Sequence, residues 1–157
     1  MKKIVLLISV AAMALFASSK VSAQGKYGPD STECIKYLSY YTEYFKQKNY
    51  GSALNWFSRF VNEGTKDNKQ VLADAYNRMG DCNFYARKFD DARRSYDKAE
   101  QVDPSLADYS LYQEGFVKGL QRDYNGKIQS LNQLITNYPQ SQYIDDALYE
   151  QGRSFVQ

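Results

Sequence analysis

The chain has 157 residues, 20 basic and 18 acidic side chains, two cysteines and no histidine. The missing histidine excludes serine or cysteine triads built on an imidazole base, and with them the common zinc sites. No lysine or arginine run marks a nucleic-acid surface, and the length suits one domain with a modest core.

Residues 1–23 read as an export signal. Lys2 and Lys3 precede an apolar run from Ile4 to Phe16, and a small-residue stretch ends at Val21-Ser22-Ala23 before Gln24. The run is short for a bilayer span, so cleavage is expected rather than anchoring, with no stable membrane insertion afterwards. Without the three lysines of this segment the small basic excess disappears. The expected location is the periplasm or cell envelope of a Gram-negative bacterium. Residues 24–33 form a lead-in.

From residue 34 onward helical periodicity dominates. Thr32 to Lys48 and Gly51 to Val61 predict a helix pair with Tyr50, Ala53, Phe57 and Phe60 on one stripe, and the polar stretch Asn62 to Lys69 predicts a longer connection. Leu72, Ala75, Tyr76, Met79, Cys82 and Ala86 follow the three-four spacing of one helical face from Leu72 to Arg87, with Asn83 as a polar exception. Phe89 opens a second helix with Asp90 and Asp91 against its positive N-terminal end, and Pro104 stops it. The pattern returns over 108–138, ending at Asn137-Tyr138-Pro139, and Asp145 to Gln157 begins a fourth first helix. That helix is expected to be either a cap or the edge of a longer array, its Tyr149, Phe155 and Val156 favouring the edge.

Gly80, Phe89, Tyr96, Ala99 and Pro104 are answered 35 residues later by Gly115, Tyr124, Leu131, Leu134 and Pro139. A fixed period of this size marks stacked helical hairpins. With Tyr76 and Ala92, the positions from Ala73 to Leu106 resemble the tetratricopeptide repeat, in which a glycine and alanines let helices approach and aromatics fill the angle between hairpins. The ending at 138–149 is also similar to repeats of exported envelope proteins. The resemblance implies an all-α, right-handed superhelical solenoid of about three and a half repeats, over 34–67, 73–106, 108–141 and a partial 145–157. Tyr41, Thr65 and Lys127 depart from the pattern. Lys127 stands where alanine is expected, so its stem should cross the hairpin and its ammonium reach water, and leucine should be tolerated there. In this register Cys34 and Cys82 are offset by about 13 Å along near-parallel axes, too far for a disulfide, so two free, partly buried thiols are expected.

By the same resemblance the first helices line a concave groove. The groove candidates are Asn77, Arg78, Asp81, Phe84 and Tyr85, then Tyr109, Tyr112, Phe116 and Leu120, then Tyr149 and Arg153, with each ring as open to packing between hairpins as to binding. Positions that grip a partner's terminal carboxylate in one subtype hold Leu38, Thr42, Arg78, Tyr109 and Gln113, and only Arg78 suits that chemistry. No preference for a free C-terminus is expected.

No phosphate loop is present, and Asp90-Asp91 and Asp145-Asp146 open helices rather than pair for acid/base work. The expected function is a non-catalytic scaffold binding a peptide or protein segment, without cofactor, metal or nucleic acid. The alternatives are a carbohydrate-binding module that uses the aromatic groove, or a structural piece of a longer array.

Overall fold

The computed structural model describes residues 43–63 and 68–154, all helix and short connection. After a helical turn at 43–46 the elements are α1 (Tyr50–Glu63), α2 (Lys69–Tyr85), α3 (Phe89–Val102), a 3₁₀ turn (Pro104–Leu106), α4 (Ala107–Leu120), α5 (Tyr124–Asn137) and α6 (Ile144–Ser154). The expectations for 1–23, the lead-in 24–33, Cys34, Leu38, Tyr41, Thr42, Thr65 and 155–157 lie outside the described residues. The connection expected from Asn62 to Lys69 is shorter, because α1 continues to Glu63 and α2 begins at Lys69 with the Asn68 side chain accepting from the Val71 N–H at 3.2 Å.

Each helix packs on the next, and α2–α3 and α4–α5 form the expected hairpins. The apolar interior is divided along the stack. One cluster joins Ala53, Phe57, Phe60 and Val61 of α1 to Leu72, Ala75 and Cys82 of α2. A second holds Ala92, Tyr96 and Val117, and a third gathers Leu111, Tyr112, Leu131, Leu134, Tyr143 and Ala147. Such serial clusters are what neighbour-only stacking produces.

The turn inside each hairpin uses one device three times. Lys48, Arg87 and Arg122 take left-handed φ values of 57°, 62° and 65°. Around Arg87, its own N–H donates to the Phe84 carbonyl at 2.9 Å and the Lys88 N–H donates to the Asn83 carbonyl at 2.8 Å. Equivalent pairs of bonds surround Lys48 and Arg122. This is the Schellman ending, which glycine fills most often, and here a basic residue fills it each time.

Two glycines admit a neighbouring helix. A Cβ on Gly80 would overlap the Tyr96 ring, whereas one on Gly115 would stand 3.0 Å from Leu131 Cδ2. Lys127 is corrected in one respect. Its stem does cross the hairpin, over Gly119, where a Cβ would lie 2.8 Å from Lys127 Cδ. Its ammonium does not reach water: the side chain is 9% exposed and Nζ meets Glu150 Oε2 on α6 at 2.7 Å. The large-small order of Phe84 and Ala92 is inverted 35 residues on as Gly119 and Lys127, so one large side chain again faces a small one.

Candidate functional site

The first helices form a row in which α2 touches α4 and α4 touches α6. The candidate residues on this row divide into those consumed by packing and those left open.

On α2, Asp81 is buried and accepts three bonds: from Tyr109 Oη at 2.7 Å, from Tyr96 Oη at 3.0 Å and from Arg78 Nη1 at 3.2 Å. Burial pushes its carboxyl above the usual carboxylate range, and the Arg78 guanidinium and the two tyrosine hydroxyls offset part of that rise. The other guanidinium branch of Arg78 meets Asp74 at 3.1 Å, and its plane lies 6.0 Å from the centre of the Tyr109 ring. Asn77, also buried, accepts from Ser110 Oγ at 2.9 Å. Asn77, Arg78, Asp81 and Tyr109 are thus brought together as the polar seam between α2, α3 and α4.

The rings form two chains. Phe45, Tyr50, Tyr85, Phe84 and Phe116 follow one another at centroid distances of 5.1–6.0 Å, with Tyr85 stacked on Tyr50. Tyr96, Tyr109, Tyr143 and Tyr112 form the second, closed by a stacked pair of Tyr112 and Tyr143 at 5.3 Å. Burial raises the Tyr143 phenol to about 12 and that of Tyr112 higher still. Phe84, Tyr85 and Phe116 are half-buried, while Leu120 and Tyr149 stay exposed, Tyr149 at 66%. Arg153 lies 5.8 Å from the Tyr149 ring centre and pairs with Glu150 at 3.1 Å.

The sequence reading did not single out Tyr143, Glu150 or the triplet in which Lys118 Nζ bonds Glu114 at 2.5 Å and Ser130 Oγ at 3.0 Å. Tyr143 lies in the connection before α6, where helical periodicity gives no signal, and the 23-residue reach from Lys127 to Glu150 has no local spacing to betray it.

No group of three metal-ligating side chains occurs among the described residues, and no described helix is long and apolar enough to cross a membrane. Cys82 is free and fully buried, its thiol pushed up to about 12 by burial, more deeply enclosed than expected. A depression of about 420 Å³ runs along α5 beside Asn125, Ile128, Gln129 and Asn132, on a second helix rather than on the row of first helices.

The fold is an α-solenoid of stacked antiparallel hairpins. Its two central units, residues 73–106 and 109–141, each match the tetratricopeptide repeat. Among solved structures, the chain is similar to the second repeat domain of human RPAP3, solved with the HSP70 peptide SGPTIEEVD, at 15% identity and a TM-score of 0.66, over 80% of this chain and 97% of that one. It is also similar to the TPR2AB domain of yeast Sti1, solved in a pHSP90 complex, at 13% identity and a TM-score of 0.67. That match covers 94% of this chain and 55% of the other. No curated protein matches the sequence.

Proposed function

We propose that the array is a non-catalytic scaffold that holds a peptide or protein segment along the row of first helices. The observation that carries this reading is an apolar strip on that row: half-buried Phe84 and Phe116, with exposed Leu120 and Tyr149. Rigid rings with a polar edge give contact area at small entropic cost.

Of the similar repeat domains, one is solved with the HSP70 peptide SGPTIEEVD, which is acidic, and the other in a pHSP90 complex. Four cations of α2, α4, α5 and α6 are engaged: Arg78 by Asp74 and Asp81, Lys118 by Glu114, and Lys127 and Arg153 by Glu150. The preferred segment is therefore apolar or aromatic, and its terminal carboxylate is not gripped. We further propose that the chain is exported and works in the envelope, on the strength of the Lys2-Lys3, Ile4–Phe16 and Val21-Ser22-Ala23 pattern.

The test is selection of peptides from a displayed library, followed by titration of the free and C-terminally amidated forms. The two forms should bind alike, and Tyr149→Ala should weaken both by about tenfold, a typical loss for one interface ring. Loss of binding on amidation, indifference to Tyr149→Ala, or binding seen only on a glycan array would refute the reading.

A further inference from the structure

Glycine is what a left-handed helix ending favours, yet the described hairpin turns place a cation there each time: Lys48, Arg87 and Arg122, with Lys88 beside the second. Helix dipoles do not explain the choice. A cation helps the C-terminal end of the helix before the turn but opposes the positive N-terminal end of the helix that starts two residues later, so the two effects offset. All four side chains are exposed, and none forms an ion pair among the described residues. Carboxylates of the same turns are held by other groups: Glu43 accepts from Gln47 at 2.7 Å, Asp90 from Gln121 at 2.8 Å and Asp123 from the Gly126 N–H at 2.9 Å.

The three turns adjoin along one edge of the stack. Tyr50, two residues after Lys48, stacks on Tyr85, two before Arg87, at 5.2 Å, and Gln121, next to Arg122, bonds Asp90, two after Lys88. Helices in contact stand about 8–10 Å apart, and the first helices of successive hairpins touch, so the edge offers a cation at each step of roughly that length. An extended chain in the polyproline II form rises about 3.1 Å per residue and returns to the same face every third residue, a repeat of about 9 Å. The two periods agree.

We propose that this edge docks an acidic protein segment in extended form, with a carboxylate at every third residue facing Lys48, then Arg87 with Lys88, then Arg122. Charge sets the sign of the partner, and the hairpin step sets its spacing. A single file of cations suits one such chain, whereas a membrane surface or a nucleic acid would also meet Asp90 and Asp123, exposed in the same turns. The edge is a second surface beside the apolar strip and does not depend on it. Exposed ion pairs make its hold weak and salt-dependent.

Fluorescence anisotropy with the full chain as recovered from cells and a dye-labelled peptide of Glu-Pro-Ala repeats tests the docking. The peptide should bind, and raising the salt from about 0.05 to about 0.5 M should weaken it at least about fivefold. A peptide of the same composition with its glutamates gathered in one block should bind at least about threefold more weakly, because it can face only one turn at a time. The variant K48G/R87G/R122G removes charge at positions whose backbone suits glycine, so it should melt no lower than the parent while its binding falls at least about tenfold. The charge-keeping variant K48R/R87K/R122K should bind as the parent does. Absence of binding at about 1 mM peptide overturns the proposal, as does equal binding of the block peptide or a glycine variant that binds like the parent. Release of the peptide by Tyr149→Ala overturns it by assigning the contact to the apolar strip. Tighter binding to phosphatidylglycerol vesicles or to heparin, lost in the glycine variant, overturns it by assigning the edge to another class of partner.

Discussion

Tyr96 shows how one side chain sets the tolerance of another. It is fully buried, its hydroxyl is fixed on Asp81 at 3.0 Å, and its ring covers Gly80, so it cannot move aside for a methyl group. Leu131 over Gly115 has no polar tether and needs to give only a few tenths of an ångström. Gly80→Ala should therefore cost about 1–3 kcal/mol by overpacking, while Gly115→Ala should stay within about 1 kcal/mol because helix propensity offsets the crowding. Urea unfolding of the two variants measures the difference, and equal losses would contradict it. The left-handed arginines make the opposite kind of prediction. Arg122→Gly relieves a strained φ at an exposed turn and should stabilise by about 0.5–1 kcal/mol in the same assay. Here the sequence was mute, since a basic residue carries none of the signal that glycine would have given at a helix ending.

At the scale of elements, the 35-residue register located every described helix of the central hairpins because each rests on a stripe that only one partner can cover. It misjudged Lys127 for a physical reason. The stripe says where a side chain starts, but a lysine's end is decided by what lies more than 20 residues away, and α6 brings Glu150 there. The exchange of Phe84 and Ala92 for Gly119 and Lys127 was present in the sequence as a compensating pair, legible only when both helices are aligned at once. Lys127→Leu should consequently cost about 1–2 kcal/mol, between the values for exposed and buried pairs, because Glu150 keeps Arg153 when it loses the lysine. A variant as stable as the parent would show that the pair between α5 and α6 contributes nothing.

At the scale of the whole molecule, burial has placed carboxyls where they titrate against the usual trend. Asp81, Asp97 and Glu100 all have pKa values raised, chiefly by burial, and for Asp97 and Glu100 the neighbouring Glu114 adds to the rise. A raised carboxyl binds protons in the folded chain before it does so in the unfolded one, so its contribution is complete below the unfolded value and is lost as pH rises through the folded value. Stability should therefore increase as pH falls from neutrality towards the range where ordinary carboxylates protonate. Asp97→Asn with Glu100→Gln should flatten that slope, and thermal melts that fall steadily over the same interval would contradict the assignment. The site was less legible than the fold. Position on a first helix singled out Asn77, Arg78, Asp81 and Tyr109, yet Arg78 and Tyr109 bond Asp81 and Asn77 holds Ser110, contacts that leave no periodic trace because the tyrosine hydroxyl and the buried carboxylate are 28 positions apart. What stays accessible on the row is half-buried Phe84 and Phe116 and exposed Leu120 and Tyr149. Hydrogen exchange on the chain with and without a display-selected peptide addresses the central claim most directly. Protection should appear in α2, α4 and α6 and leave α3 and α5 unchanged, whereas protection confined to α3 and α5 would contradict the groove reading.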